Sequence, residues 1–273
     1  MRQIKKAFLD TEDGQILYRI GGEGESLLLL HMTPRSSDEF RELMPIFAQN
    51  RCAIAMDLLG LGDSDKPPRI YSMADYANTI IVLLDELNIN KTSILGSHTG
   101  AYVAAEVAAA YPERVEKLIL SNIDDLNEEE QATLLKGLYQ AFQIKENASE
   151  LKERWLARQS YISSQELNHR FLLDEMKCYG YPPYGALAVT AYCGNIQERL
   201  SLIKCPTLIL SGTEEIKLLK QLGLSKPENR QAIAQAIPQA KMLDIEGGTL
   251  CVMNQMPEEI SKIVVDFLDG TEE

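Results

Sequence analysis

The chain has 273 residues, of which 45% are hydrophobic and 25% are charged, a composition that excludes collagen-like, disordered and membrane-spanning classes. Lysine and arginine number 27 against 40 acidic residues, so the formal net charge is −13 at pH 7. A field of this sign repels phosphate backbones and anionic lipid surfaces. We therefore expect no nucleic-acid partner and no membrane partner.

The first predicted elements are two β-strands, Lys5 to Asp10 and Gln15 to Ile20, separated by the turn sequence Glu12-Asp13-Gly14. Further strands are indicated by short apolar runs without polar alternation, a pattern typical of parallel strands that are buried on both faces. These runs are Ser26 to Leu30, Cys52 to Met56, Thr92 to Leu95, Leu118 to Leu120 and Thr207 to Leu210. A last short strand is predicted at Lys241 to Ile245.

Helical patterns alternate with these strands, which predicts a doubly wound α/β domain around a mainly parallel sheet of about eight strands. The predicted helices are Asp38 to Ala48, Met73 to Leu87, Ala101 to Tyr111, about Glu228 to Ala236, and Glu258 to Leu268.

Residues 123–200 form a helical insertion in this pattern, because the segment contains no predicted strand. We expect a core domain of residues 1–122 and 201–273 and a helical cap at 123–200. The insertion is rich in aromatic residues, which either line a pocket or build a small helical core: Tyr139, Phe142, Trp155, Tyr161, Phe171, Tyr179, Tyr181, Tyr184 and Tyr192.

The N-terminal sequence MRQIKKAFLDTEDG lacks the apolar segment of a secretory signal. The cysteines are odd in number and never spaced as CxxC, which argues against a disulfide framework or a zinc site. We expect a cytoplasmic protein with reduced thiols, no metal and no cofactor. Cys251 is predicted to pack in the interior rather than to act as a nucleophile. The five cysteines are Cys52, Cys178, Cys193, Cys205 and Cys251.

Four motifs follow one another in the order of a known family. They are the strand and histidine Leu27 to His31, the D-x-x-G-x-G-x-S turn Asp57 to Ser64, the strand-to-helix turn Gly96 to Gly100, and the loop Ile245 to Thr249. Together they make the chain resemble α/β-hydrolase-fold proteins over nearly its full length, in the branch of haloalkane dehalogenases, epoxide hydrolases and small esterases. The resemblance implies an α/β-hydrolase fold with a helical cap.

In that family the nucleophile stands on a strained turn, the nucleophile elbow, between small residues two positions before and after it. Gly96 and Gly100 occupy the small positions, so the resemblance places His98 where the nucleophile belongs. A register with Ser97 as the nucleophile would put Leu95 and Thr99 in the crowded positions, which is sterically worse.

The resemblance also assigns the other two positions of the catalytic triad. The acid falls at Glu215, or at Asp124 after the preceding strand, and the histidine position falls at Thr249. Threonine cannot act as a base at neutral pH, and the elbow lacks serine. Serine-dependent acyl transfer therefore has neither its nucleophile nor its proton acceptor.

The His98 imidazole reaches farther than a serine oxygen, into the volume that a histidine at position 249 would otherwise occupy. An acid at Glu215 or Asp124 would orient the ring and raise its basicity, which predicts a histidine–carboxylate pair for general acid–base catalysis. The alternative is an imidazole that fills an inactive site.

In the family that the chain resembles, two backbone N–H groups form an oxyanion hole. The resemblance places these groups at Thr33 and Thr99. Met32 replaces the usual glycine and narrows the approach, but backbone donors survive side-chain changes, so binding of a carbonyl or of an anion stays open. His31 is expected to make structural hydrogen bonds, and His169 is expected to lie on a solvated face.

Three hypotheses follow from these residues. The first is an enzyme in which His98 acts as general acid or base on a small carbonyl-containing or hydrophobic molecule, by elimination, decarboxylation, isomerisation or retro-aldol cleavage. The second is a catalytically silent protein that binds a small ligand or regulates a partner. The third is a hydrolase with an unconventional triad. The sequence indicates neither the substrate nor the oligomeric state.

Overall fold

A computed structural model describes residues 3–178, 184–224 and 227–270. Its strands form one eight-stranded sheet. They are β1 (Lys5–Thr11), β2 (Gly14–Gly21), β3 (Ser26–Leu30), β4 (Cys52–Met56), β5 (Thr92–Ser97), β6 (Val115–Ser121), β7 (Thr207–Gly212) and β8 (Lys241–Ile245). The order across the sheet is β1-β2-β4-β3-β5-β6-β7-β8. Pairing is parallel except for β2, which runs antiparallel to β1 and β4. The predicted α/β fold with a mainly parallel eight-stranded sheet is confirmed.

The helices follow the predicted alternation. They are α1 (Met44–Phe47), α2 (Met73–Glu86), α3 (Thr99–Ala110), α4 (Glu128–Ala141), α5 (Ser149–Arg158), α6 (Gln165–Glu175), α7 (Tyr184–Cys193), α8 (Ile196–Leu200), α9 (Thr213–Gln221), α10 (Pro227–Ala236), α11 (Val252–Gln255) and α12 (Pro257–Asp269). None of these described helices is both long and apolar enough to span a bilayer.

The helix predicted from Asp38 to Ala48 is wrong as one element. The segment holds a 3₁₀ turn at Ser37–Phe40 and the short helix α1 instead. Pro45 lies at the start of α1 and has no N–H to continue a preceding helix, and a proline disfavours helical geometry at the residue before it. Helix α9, directly after β7, was not predicted.

Alternate residues of β3 show why the central strands read as unbroken apolar runs. Leu28 and Leu30 pack in one hydrophobic cluster with α2 and α3, whereas Leu27 and Leu29 pack in a second cluster with α12. All four leucines are fully buried. Both faces of the sheet are therefore covered by helices, as expected for parallel strands.

Helices α4 to α8 lie between β6 and β7, within the segment predicted as a cap. Its division from the core at residues 123 and 200 stays a prediction. Tyr179 and Tyr181 lie outside the described residues. Of the other insertion aromatics, several are buried in packing contacts: Phe142, Phe171, Tyr184 and Tyr192.

Candidate active site

The turn between β5 and α3 is sharp and strained. His98 occupies it with φ 48° and ψ −115°, a conformation that L-residues rarely adopt. A Cβ at Gly96 would lie 2.3 Å from the carbonyl oxygen of Gly100, and a Cβ at Gly100 would lie 2.0 Å from that of Leu30. Only glycine fits at either position. The turn thus has the geometry of a nucleophile elbow, with His98 at its apex.

Ser97 is the last residue of β5 and does not stand at the apex. It is buried, and its Oγ donates a hydrogen bond to Glu39 Oε1 at 2.8 Å. The hydroxyl is therefore held beneath the turn, away from the position from which a nucleophile acts.

Glu215 approaches His98 from the neighbouring strand end. It lies in the first turn of α9, and its backbone N–H donates to Gly248 O at 3.0 Å. A Cβ at Gly212 would come within 2.3 Å of that same carbonyl oxygen, so the junction of β7 and α9 packs directly on the loop that holds Gly248. This close packing fixes the position of the Glu215 backbone, from which the carboxylate side chain extends.

The His98 and Glu215 side chains are in direct contact. His98 Nε2 lies 2.8 Å from Glu215 Oε1, and the carboxylate is fully buried whereas the imidazole is 19% exposed. This separation is within hydrogen-bonding range, and the contact becomes an ion pair when the imidazole is protonated. Of the two acids considered from the sequence, Glu215 is the one that contacts the imidazole.

Opposing effects act on the pKa of His98. Burial lowers the pKa because it penalises the charged imidazolium. The charge and contact of Glu215 raise the pKa, and the charges of Glu39 and Asp124 raise it further. The carboxylates prevail, so the pKa of His98 lies above its ordinary value. The carboxylates around His98 thus extend the pH range over which the imidazolium persists.

His98 borders a cavity of about 130 Å³, called the elbow cavity below. The polar residues of its lining follow β3, β5 and β6 at their carboxyl ends or stand on α3, where ligands of open α/β sheets bind: Thr33, His98, Thr99, Tyr102, Asn122 and Asp124. The apolar residues come chiefly from α4, α7 and the α9 region: Leu126, Leu134, Leu138, Ala186, Val189, Leu219 and Leu224. The described aromatics of the insertion do not line this cavity.

The predicted oxyanion residues divide into two pairs. Thr33 and Thr99 line the elbow cavity, and no hydrogen bond among the described residues uses the N–H of either. Met32 and Thr249 do not line it. The Met32 N–H donates instead to Glu39 Oε2 at 2.7 Å.

Thr249 and Cys251 lie just before α11 and are hydrogen-bonded to each other. Thr249 Oγ1 accepts a hydrogen bond from Cys251 N at 3.1 Å. Cys251 is buried, and burial raises the pKa of its thiol to about 12. Because the thiolate is the reactive form, this cysteine is not a nucleophile near neutral pH.

The other two histidines do not line the elbow cavity. His31 is fully buried, its Nδ1–H donates to Met32 O at 2.8 Å, and its Nε2 accepts from Leu58 N at 3.0 Å. Both ring nitrogens are occupied, so the role of His31 is structural. His169 is exposed on α6, and its ring meets the edge of Trp155.

Glu39 is a residue that the sequence did not reveal. Its buried carboxylate accepts one hydrogen bond from Ser97 beneath the elbow and one from the Met32 backbone in the oxyanion loop. It thereby ties together the two segments that supply Thr33 and Thr99. No motif or periodicity marks this position, because its role depends on the loop after β3 folding back onto β5.

A buried ion pair joins α6 to the loop that follows β3. Arg35 Nε lies 2.7 Å from Asp174 Oδ2, and the guanidinium stacks 3.5 Å from the centre of the Phe171 ring. Nearby, Arg170 of α6 reaches Glu42 through two hydrogen bonds. Helix α6 is therefore fixed against the segment that carries Thr33.

Comparison with known proteins agrees with this architecture. Residues 25–170 match the family model of the alpha/beta hydrolase fold. The chain is 41% identical over 103 residues to an uncharacterized protein of Mycobacterium tuberculosis, which covers 38% of this chain. It is 30% identical over 123 residues, or 44% of its length, to a cis-3-alkyl-4-alkyloxetan-2-one decarboxylase of Shewanella oneidensis. It spans 30% and 39% of the length of these two relatives, respectively.

A solved structure extends the similarity over the whole fold. A hydrolase from Pseudomonas aeruginosa PA01 superposes with a TM-score of 0.77 at 20% identity, covering 96% of this chain and 98% of the other. At this identity the likeness concerns the fold alone. The family match covers more than half of the chain and is consistent with the mostly parallel eight-stranded sheet. The chain belongs to the α/β-hydrolase fold family.

Proposed function

We propose that this protein is an enzyme that uses His98 as a general acid and base on a small carbonyl compound. The observation that carries the proposal is the 2.8 Å contact between His98 and the buried Glu215 at the edge of the elbow cavity. A histidine held by a carboxylate is a standard device for proton transfer. Here the histidine of this pair lies at the apex of the turn between β5 and α3, where family members carry the nucleophile.

Each residue has a distinct role in the proposal. Glu215 contacts Nε2 and orients the ring, which leaves Nδ1 to exchange a proton with the bound compound. In its neutral form His98 takes a proton from the carbon next to the carbonyl. The C–H electron pair then forms a C=C bond to the carbonyl carbon, and the C=O π pair moves onto the oxygen. The N–H groups of Thr33 and Thr99 stabilise the resulting enolate oxygen. The imidazolium then returns the proton to carbon or to a leaving group.

An enolate or its equivalent is common to all four candidate reactions, although different bonds break to form it. In elimination and isomerisation the base removes the α-proton. In decarboxylation CO2 leaves, and in retro-aldol cleavage removal of a β-hydroxyl proton is followed by C–C cleavage; the imidazolium then protonates the carbon. The name of the Shewanella oneidensis relative shows that a decarboxylase occurs among proteins similar to this chain. Hydrolysis with a serine nucleophile is not supported, because Ser97 is buried on Glu39 and Thr249 supplies no base.

The proposal is tested by solvent deuterium exchange. Acetone, butan-2-one, cyclopentanone and propanal are incubated in D₂O with the protein, and loss of the α-proton signals is followed by NMR. We expect faster exchange than in buffer for at least one compound. His98→Gln should lower this enhancement by about 10²–10⁴-fold, the usual contribution of a general base.

The other two hypotheses correspond to other outcomes. Exchange at the buffer rate for every compound favours a silent, ligand-binding protein. Ester hydrolysis that survives His98→Gln favours an unconventional hydrolase. The cytoplasmic location stays a prediction that cell fractionation checks.

A further inference from the structure

The buried Glu39 carboxylate binds two chain segments at once, one with each oxygen. Its Oε1 accepts a hydrogen bond from the Ser97 hydroxyl at 2.8 Å, and its Oε2 accepts one from the Met32 N–H at 2.7 Å. These two donors directly precede His98 and Thr33 in the chain. A buried carboxylate needs both hydrogen bonds to offset its desolvation, so it fixes the separation of the segments that it bridges.

The elbow end of this bridge is held by the sheet. Ser97 is the last residue of β5 and pairs with Ser121 of β6. The next N–H along the chain, that of His98, donates to Ser121 O at 2.8 Å, and Thr99 then begins α3. The position of the Thr99 N–H is therefore set by the sheet and by the helix. Ser97 is a fixed anchor for Glu39.

The other end of the bridge lies in the loop after β3. There the Met32 carbonyl oxygen accepts hydrogen bonds from His31 Nδ1 at 2.8 Å and from Arg35 N at 2.9 Å. The peptide bond that follows Met32 is trans, and in a trans peptide the N–H points opposite to the C=O. The Thr33 N–H therefore points away from these two donors. Glu39 holds Met32 from its N–H side, so the direction of the Thr33 N–H depends on both sets of contacts.

Glu39 extends from a backbone that is itself well supported. It lies in the 3₁₀ turn Ser37–Phe40, and the Ser36 hydroxyl caps the start of that turn. Asn254 Nδ2 of α11 donates to Glu39 O at 2.9 Å. The backbone of Glu39 is thus fixed independently of the two groups that its carboxylate binds.

We propose that Glu39 is a positioning residue that holds the Thr33 N–H in place relative to the Thr99 N–H, so that the two bind one carbonyl oxygen. The inference deepens the proposed function and rests on it, because those N–H groups are its donors to the enolate oxygen. An oxyanion hole is effective when its donors are placed before the reaction begins. Glu39 does not line the elbow cavity, so it acts through Met32 rather than on the bound compound.

Three substitutions separate the hydrogen bonds of Glu39 from its charge. In Glu39→Gln the amide oxygen can accept the Met32 N–H while the amide NH₂ donates to Ser97 Oγ, so the bridge is kept and the charge is lost. Glu39→Met has a similar length but only a weak acceptor, so the bridge is lost. Ser97→Ala removes the elbow end alone.

Glu106→Met is the matched control for the loss of a buried carboxylate. Glu106 lies on α3 and binds Arg199 through two hydrogen bonds of 2.8 Å. Its removal takes away as many hydrogen bonds as Glu39→Met, but none of them reaches the loop after β3. Urea denaturation shows which of the four variants are folded.

The first measurement requires neither a substrate nor turnover. Nitrogen relaxation dispersion by NMR reports microsecond-to-millisecond motion of backbone amides. We expect no such motion at Thr33 in the wild type, in Glu39→Gln or in Glu106→Met. Glu39→Met should give a broadened or split Thr33 signal, and Ser97→Ala should show a smaller effect of the same kind. Thr99 should stay rigid in every variant, because the sheet and α3 hold it.

The second measurement is the solvent deuterium exchange described above. Loss of one oxyanion donor lowers kcat by about 10²–10³-fold, and a misplaced donor causes part of that loss. We expect Glu39→Met to lower the exchange enhancement by at least about tenfold and Glu39→Gln to lower it much less. Rates are compared on the high-pH plateau, where His98 is neutral in each variant, so the charge of residue 39 does not decide the comparison.

A wild-type Thr33 signal in Glu39→Met would overturn the proposal, and so would equal motion in Glu39→Gln or in Glu106→Met. If Glu39→Met does not fold, Ser97→Ala decides, and a wild-type Thr33 signal there would overturn the proposal.

Failure of the positioning role and failure of the acid–base function give different results. Motion at Thr33 in Glu39→Met, together with exchange at the buffer rate in the wild type, would support the positioning role while contradicting the acid–base function. Enhanced exchange that is undiminished in Glu39→Met would contradict the positioning role and leave the acid–base function standing.

Discussion

His98 Nε2 lies 2.8 Å from Glu215 Oε1, which joins the apex of the nucleophile elbow directly to the acid after β7. In a conventional triad, a separate histidine stands between these two positions. The motif spacing predicts Thr249 at the histidine position, and the imidazole at the elbow contacts the acid directly. The family fold is kept, but two groups in contact, His98 and Glu215, stand where a conventional triad has three.

Serine-directed reagents should not label this protein. Fluorophosphonates need an activated hydroxyl or thiolate, whereas Ser97 is buried on Glu39 and burial raises the pKa of Cys251 to about 12. We expect labelling at the background level by intact-mass spectrometry. A stoichiometric adduct on Ser97 or Cys251 would contradict the site described above.

Rebuilding the triad should create esterase activity. The double variant His98→Ser with Thr249→His supplies the missing nucleophile and base beside Glu215. The two backbones are close, because Gly248 O, in the peptide bond before residue 249, accepts a hydrogen bond from the Glu215 N–H. We expect p-nitrophenyl acetate hydrolysis by the double variant above either single variant, which are its controls. A folded double variant without this gain would show that the acid or the oxyanion loop is out of place.

The buried ion pair between Arg35 and Asp174 should be important for stability. Arg35→Ala leaves Asp174 buried without its main cation, and breaking a buried pair in this way costs about 3–5 kcal/mol. Urea denaturation measures the loss of unfolding free energy. The matched control is Lys177→Ala, which removes a half-exposed contact to Asp63 and should cost no more than about 1 kcal/mol. Equal losses in the two variants would contradict the assigned role.

His98 should make stability depend on pH. Its pKa in the folded protein lies above the value of about 6.5 that it has in the unfolded chain. Its contribution is therefore fully present below about pH 6.5 and is lost as the pH rises through the folded pKa. The difference in unfolding free energy between the wild type and His98→Gln should shrink over that range. A difference that is constant or grows with pH would mean that the folded pKa is not raised.

The fold could be predicted from local signals. Every central strand was visible as an apolar run, because both faces of a parallel strand are buried. The elbow was visible too, since the close approaches at Gly96 and Gly100 admit only glycine. Glu215 could be placed because the acid follows a strand that was itself predicted.

Contacts between distant segments could not be predicted in the same way. Glu39 lies in a segment whose pattern suggested an ordinary helix, and only the folded loop brings it to Ser97 and Met32. The pairing of Arg35 with Asp174 likewise depends on how the cap packs on the core. Charges at such positions resemble surface residues in the sequence until their partners are known.

The pKa of His98 tests the pairing with Glu215 most directly. Imidazole resonances of the wild type, Glu215→Gln and Glu214→Gln are followed by NMR as the pH is changed. Glu214 is the control, because it neighbours Glu215 in sequence but is half-exposed and pairs with Lys217. We predict that Glu215→Gln lowers the His98 pKa below the wild-type value, since burial then acts against a weaker set of carboxylates. Glu214→Gln should leave it unchanged. An unchanged or higher pKa in Glu215→Gln would contradict the histidine–carboxylate pair on which the proposed function rests.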